Sequence, residues 1–275
     1  MATPVPTLVG SIVETSSDGS IAIPNTTAPT EGDMLVAFIS GFVSGGSESV
    51  NTPTGWTIRA NQTADTHPCT VYTKVATSGD VSATDFTFTL TGGVDVMTGV
   101  IISSTNIASF EASELDTGTT SYSATTNLTA TTDDSLILTM FTSSNTTGGG
   151  GTTSTYTSTP TLTWTEQFDT PGNNGSAAMS CAVVTATNTG TGTITARSAT
   201  ASVTPARTRS IMVMLNGVIN ATGTNALLSV SPTHLTQNGV AGATGTNNLL
   251  SVSPTIQTQN GSGGTSTVWT NETKT

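Results

Sequence analysis

The chain has 275 residues, and its 6 Lys plus Arg against 17 Asp plus Glu give a formal net charge of −11. Charged residues make up only 8% of it, against ~25% in an ordinary globular protein. The cations Arg59, Lys74, Arg197, Arg207, Arg209 and Lys274 form no basic stripe able to offset repulsion from phosphates, so nucleic-acid binding is not expected.

Thr, Ser, Gly and Asn fill the polar positions instead. Threonine suits a half-buried pleated surface, while Ser, Asn and Gly serve turns. Lys, Glu and Arg are scarce, so long surface helices have little to be built from. Disorder does not fit, because apolar residues reach 34% and fall in defined runs. The opening "MATPVPTLVGSIVE" has no basic region followed by an apolar core, which predicts no secretory signal and a chain either made in the host cytoplasm or trimmed. No apolar run approaches the ~20 residues of a membrane span, and no membrane partner is expected.

In chain order, "TLVGSIVE" and "SIAIP" read as an edge strand or as an arm reaching a neighbour. Short β segments follow, divided by turn clusters such as "PTEGD" and "TPGNNG": 34–42, 70–76, 85–91, 97–103, 135–141, 178–186, 193–203 and 209–215. In "DFTFTLT", Phe86, Phe88 and Leu90 share one face and threonines the other, the period of a strand with one wet side. Many strands at this spacing predict an all-β fold, a jelly-roll-like β-sandwich.

The strands also repeat. Asp33 opens "GDMLVAFI", followed by "GWTIR", "VYTKVATSGD" and "TGVIISSTN"; Asp134 opens "DDSLILTM", followed by "TWTEQ", "CAVVTATNTG" and "SIMVMLNG". Residues 1–215 therefore read as one domain of two similar halves, each expected to give strands to both sheets, since a single half would leave an apolar face bare. The second half carries "NTTGGGGTTSTYTST", 145–159, expected to be a long surface loop.

Beyond residue 215 the pattern changes. Residues 216–237 and 238–259 are tandem copies with a period of 22 and 17 identical positions, and a partial third unit, 260–275, breaks off after "NGSGGTST". Each complete unit offers one short strand, "LLSVS", ended by Pro232 or Pro254. Ordering a residue costs ~1–2 kcal/mol and burying a Leu or Val returns ~1.5–3, so so sparse a unit cannot fold alone. Leu227, Leu228 and Val230, with their copies Leu249, Leu250 and Val252, are the candidate assembly residues. The alternatives are packing on the chain's own domain or a flexible linker.

Chemistry is thin. His67 and Cys69 in "THPCT" have ligand types but no second pair, so a loop histidine is expected rather than a zinc site. His234 is Ile256 in the second tail unit, so that unit does not require it. Glu111, Glu114 and Asp116 in "FEASELD", read as a loop, are a weak calcium candidate. Asp133 and Asp134 read as a polar turn. Cys69 and Cys181 sit on equivalent strands but one position out of register, which predicts buried free thiols facing apart. Trp56 and Trp164 read as core plugs. Nucleophile elbows, HExxH and P-loops do not occur. No catalytic residue and no cofactor is expected.

The series "GDMLVAFI…TPTGWTIR…VYTKVATSGD…FTFTLTGG…GVIISSTNI" resembles a pattern of tailed-bacteriophage virion proteins and bacterial surface proteins, roughly GDLLVA, PPGWT and YYKVATAGD, across residues 30–217. The resemblance implies a β-sandwich and a non-enzymatic role, first as a capsid decoration or cement protein displayed on the virion surface. Such a protein is expected to form a homo-oligomer, commonly a trimer, on the major capsid protein or other virion proteins. The alternatives are a tail-fibre or baseplate receptor-binding protein touching host surface glycans, and a bacterial cell-surface adhesin or carbohydrate-binding module. The Gly/Thr stretch and the duplicated tail depart from the pattern, so no residue roles carry over.

Overall fold

A computed structural model describes residues 3–217 except 15–18, 43–48, 63–65, 92–95, 119–121, 125–127, 132–133, 146–152, 174–177 and 195. The repeat tail, with all six candidate assembly residues, lies outside the described residues.

The chain is all-β, as expected. The first half runs β1 (Val5–Glu14), β2 (Ser20–Pro24), β3 (Met34–Phe42), β4 (Ser49–Val50), β5 (Thr57–Gln62), β6 (Cys69–Val75), the single helical turn α1 (Ser78–Val81), β7 (Asp85–Thr91) and β8 (Val96–Thr105). The second half runs β9 (Ile107–Gly118), β10 (Tyr122–Ala124), β11 (Leu128–Ala130), β12 (Ser135–Asn145), β13 (Thr153–Thr159), β14 (Thr165–Asn173), β15 (Ala178–Asn188), β16 (Gly192–Ile194), β17 (Ala196–Ala201) and β18 (Arg207–Gly217).

The duplication is explicit in the sheets. One five-stranded sheet has the order β1-β8-β3-β6-β5 and the other β9-β18-β12-β15-β14, every pairing antiparallel. Each half thus builds its own large sheet. This corrects the expectation that both halves would contribute to both sheets.

Each large sheet is covered on its outer face by small sheets of its own half. In the first half, Ile21 and Ile23 of β2 and Phe86, Phe88 and Leu90 of β7 pack on Leu35, Ala37 and Ile39 of β3. In the second, Leu128 and Ile194 from the β11-β16 pair cover Ile137, Met212 and Met214, while Tyr122 and Tyr156 from β10-β17-β13 cover Phe141 and Val184. The inner faces of the two large sheets then meet through Val36, Phe38, Val71, Val100 and Ile102 on one side and Leu138, Met140, Val183, Ile211 and Val213 on the other. The result is layered sheet, sheet, sheet, sheet. Every residue of β3 is buried, which is why "MLVAFISGF" is apolar at odd and even positions alike, in the manner of a strand covered on both faces.

Two local expectations change and a third is decided between its alternatives. Part of the stretch read as a loop, Thr153–Thr159, is β13, hydrogen-bonded to β17; its Thr and Tyr residues have β propensity, and the half-buried Tyr156 packs against Phe141. Residues 193–203, read as one strand, divide into β16 and β17, which belong to different sheets. "TLVGSIVE" is β1, an edge strand paired with β8 along its whole length, so of the two readings offered the edge strand is the observed one.

Candidate functional site

The inner seam between the large sheets collects the residues to which chemistry was first attached. β3, β6 and β8 bring Ser40, Cys69 and Thr98 side by side, since Ser40 stands opposite both Cys69 and Thr98 in the ladders. β12, β15 and β18 bring Thr142, Cys181 and Arg209 together in the same way. Cys69 and Cys181 are therefore structurally equivalent and lie in one apolar cluster, which corrects the reading that they were out of register and faced apart. The sequence offset of the following turn misled, because the strands and the turn after them differ by one residue. Both are free thiols and both are buried.

His67 precedes Pro68 in the turn leading into β6, as a loop residue, yet it is 0% exposed. A directed chain of hydrogen bonds crosses from sheet to sheet at this point. His67 Nε2 lies 3.2 Å from Thr142 Oγ1, Thr142 Oγ1 donates to Ser40 Oγ at 3.3 Å, and Ser40 Oγ donates to the Pro68 carbonyl at 3.2 Å. That direction requires the hydrogen on Nε2. Linked donors of this kind polarise one another in a low-dielectric interior. Burial pushes the Cys181 thiol up to about 12, with a hydrogen bond involving Thr98 acting in the other direction. A thiol so raised and so sealed is not a nucleophile at neutral pH. The cluster joins sheets; it does not present a reactive group to solvent.

A second node explains the "VYTKVATSGD" stretch. Asp80 accepts from Lys74 Nζ at 2.6 Å, from Thr77 N at 2.8 Å and from Thr77 Oγ1 at 2.7 Å, closing α1 with a capping box. Burial alone would raise the Asp80 carboxyl, but the hydrogen bonds from Lys74 and Thr77 with the Lys74 charge outweigh it and hold it below the ordinary range. Lys74 also lies over the Trp56 ring at 5.9 Å, and Asn25 Nδ2 donates to the carbonyls of Asp80 and Ala83 at 3.2 and 2.9 Å. Trp56 is a core plug, buried against Phe86 and Phe88. Trp164 is half-buried and packs into both outer clusters of the second half.

Two further places hold neighbouring acidic residues. "FEASELD" is strand β9 rather than a loop, a correction of the basis for the calcium reading. Glu111 Oε1 accepts from Thr131 N at 2.7 Å and from the Thr131 hydroxyl; the side chains of Glu114 and Asp116 lie outside the described residues. No group of three metal-ligating side chains occurs among the described residues. The other place was missed in the sequence. Asp169 Oδ2 accepts from Thr153 N at 2.8 Å, and Glu166 Oε2 accepts from Tyr156 Oη at 2.9 Å, so two carboxylates of β14 tie down β13. Burial, seconded by the Glu166 charge, raises the Asp169 carboxyl above its ordinary value. No signal in a run reading "TEQFDTPG" pointed to this, since its partners come from the stretch taken for a loop. Asp134, at the turn before β12, has φ 60°, in keeping with the polar turn expected there.

No helix among the described residues is long and apolar enough to cross a membrane. Comparison with family models, curated proteins and solved structures gives no match to this chain.

Proposed function

We propose that this chain is a non-enzymatic structural protein of a tailed-phage virion: a capsid decoration or cement protein, displayed on the particle surface as a homotrimer seated on the major capsid protein. One observation carries the reading. A fully layered β body is joined to tandem 22-residue units that cannot bury an apolar face alone. Such a chain has its stability in the body and has association left to the tail. The acidic, hydroxyl-rich composition and the resemblance of residues 30–217 to virion surface proteins support the same reading. So does the chemistry of the seam, where His67, Cys69 and Cys181 serve sheet-to-sheet packing.

The test is the mass in solution of the full chain against a version ending at Asn220, followed by sedimentation of each with purified capsids. The proposal expects a trimer that co-sediments at capsid stoichiometry and a folded, non-binding monomer on truncation. Two monomers with the same melting temperature would overturn the assembly role of the tail. A few copies per particle would move the protein to the tail or baseplate.

A further inference from the structure

The large sheets meet edge over edge at two seams that are built alike and filled differently. At one, β5 lies against β9; at the other, β14 lies against β1. β5 has a bulge at Arg59 and β14 has one at Gln167. Arg59 Nε donates to Thr73 Oγ1 at 2.7 Å, and Gln167 Nε2 donates to Thr185 Oγ1 at 3.0 Å, the two threonines being equivalent in register. Across the first seam the Arg59 guanidinium stacks on Phe110, 4.0 Å from the ring centroid. The ladders place Pro6 where Phe110 stands: Phe110 is opposite Leu215 and then Leu136, while Pro6 is opposite Ser104 and then Met34. A guanidinium on an aromatic ring at one seam is replaced at the other by an amide and a proline.

The smaller pair leaves space. A cavity of about 440 Å³ opens there, within the ~300–1,000 Å³ of small-ligand sites. Pro6, Leu136 and Ala186 give it apolar surface, and four threonines, Thr163, Thr165, Thr185 and Thr187, with the Gln167 amide give it hydrogen-bonding groups. None of its described lining residues is charged. Without a counter-charge on its described lining it favours no ionic ligand over water, and a wholly apolar ligand would cover the hydroxyls without pairing them. A ring with one apolar face and a hydroxylated edge meets both requirements.

We propose that the cavity between Pro6 and Gln167 binds one neutral pyranose ring. Its described lining residues all belong to the sheets and their connections, so the proposal does not rest on the virion reading. The test is saturation-transfer NMR on the full-length protein with the methyl glycosides of glucose, galactose and N-acetylglucosamine, and with sialic acid as the anionic control. Transfer to at least one neutral glycoside and none to sialic acid is expected. The double variant Pro6→Phe/Gln167→Arg rebuilds the pair of the other seam, and transfer should fall to background while the melting temperature is kept. Should that variant misfold, Thr165→Val/Thr187→Val removes hydroxyls without filling the space, and transfer should fall there too. Absence of transfer in the wild type overturns the proposal. So does equal transfer in the filled variant, or in the valine variant where the filled one does not fold. Oligomeric state, measured separately, bears only on the virion reading.

Discussion

Asp80→Asn perturbs the best-defined local node of the fold, and its cost follows from the contacts. The carboxylate takes three hydrogens, from Lys74 Nζ, Thr77 N and Thr77 Oγ1, at 2.6, 2.8 and 2.7 Å. Asparagine keeps one acceptor oxygen and turns an amide N–H₂ toward donors. Hydrogen bonds to charged groups contribute ~1.5–3 kcal/mol each, and breaking a fully buried pair costs ~3–5. Here the side chains of Lys74 and Asp80 are 17% and 8% exposed, so water screens part of the interaction and a net loss of about 2–3 kcal/mol is expected. At ~2–4 °C per kcal/mol for a body of this size, the melting temperature falls by ~5–10 °C. The pH dependence has a definite sign. The folded carboxyl lies below its unfolded value, so its contribution is present above an unfolded pKa of ~3.9 and is lost as pH falls through the folded value. The gap between wild type and variant, read by calorimetry, should be full near neutrality and close in acid. Lys74→Met should show the same gap, and the double variant less than the sum of the singles. A gap under about 1 °C, or one unchanged down to pH ~3, refutes the account.

Asp169→Asn has the opposite sign. The Asp169 carboxyl is raised in the fold, so its contribution is present below the unfolded pKa and lost as pH rises through the folded one; the variant should melt higher than wild type near neutrality and equally in acid. Gly10→Ala would set its Cβ 1.7 Å from the Pro24 carbonyl oxygen, a backbone atom, whereas Gly99→Ala would meet Ile23 Cδ1 at 2.5 Å, the end of a side chain. Thermal melts should show the first failing to fold and the second losing ~1–3 kcal/mol, with Ile23→Val, which removes Cδ1 but keeps a carbon at the Cγ1 position, restoring part of the second and none of the first. Ellman titration at pH ~8 should find no reactive thiol in the native protein and both Cys69 and Cys181 after guanidinium unfolding, as burial of both requires; native labelling would sink the sealed-seam description.

What could be read from the sequence was what depends on local pattern. "DFTFTLT" alternates, and it is a half-covered strand with Phe86, Phe88 and Leu90 inward. Trp56, between "TPTG" and a short strand, sits in the core at the place its spacing suggested. The layer count was not read, although the signal was present: "MLVAFISGF" and "RSIMVML" are apolar on both faces, which a sheet with one wet side does not need. Residues 153–159 were lost because a glycine run masks the strand after it, and β13 is held by Asp169 and Glu166, partners distant in sequence. The equivalence of Cys69 and Cys181 needed the ladder, since a bulge or a one-residue change in a turn shifts a sequence offset and flips every side chain that is aligned by it. The pocket could not have been found at all from one half. It is visible only by comparing Pro6 with Phe110 and Gln167 with Arg59 across the duplication.

The duplication also explains why the two sheet-forming halves pack as one body. Residues related by a two-fold that touch each other must lie close to its axis, and Ser40 and Thr142 are related in this way and are 3.3 Å apart. The halves therefore meet as the subunits of an isologous dimer do, patch against like patch. Each half covers one face of its large sheet with its own small sheets and leaves the other to its mate. Parted, the first half would bare Val36, Phe38, Val71, Val100 and Ile102, at ~1.5–3 kcal/mol a side chain, or roughly 8–15 kcal/mol in all. That equals the whole stability of an ordinary domain, ~5–15 kcal/mol. A half so exposed would have to find a partner in solution; linked through Asn106, it has one at hand at any concentration. The isologous surface is thereby used up within the chain, so association with further copies has to engage the sheet edges, the outer small sheets or the repeats.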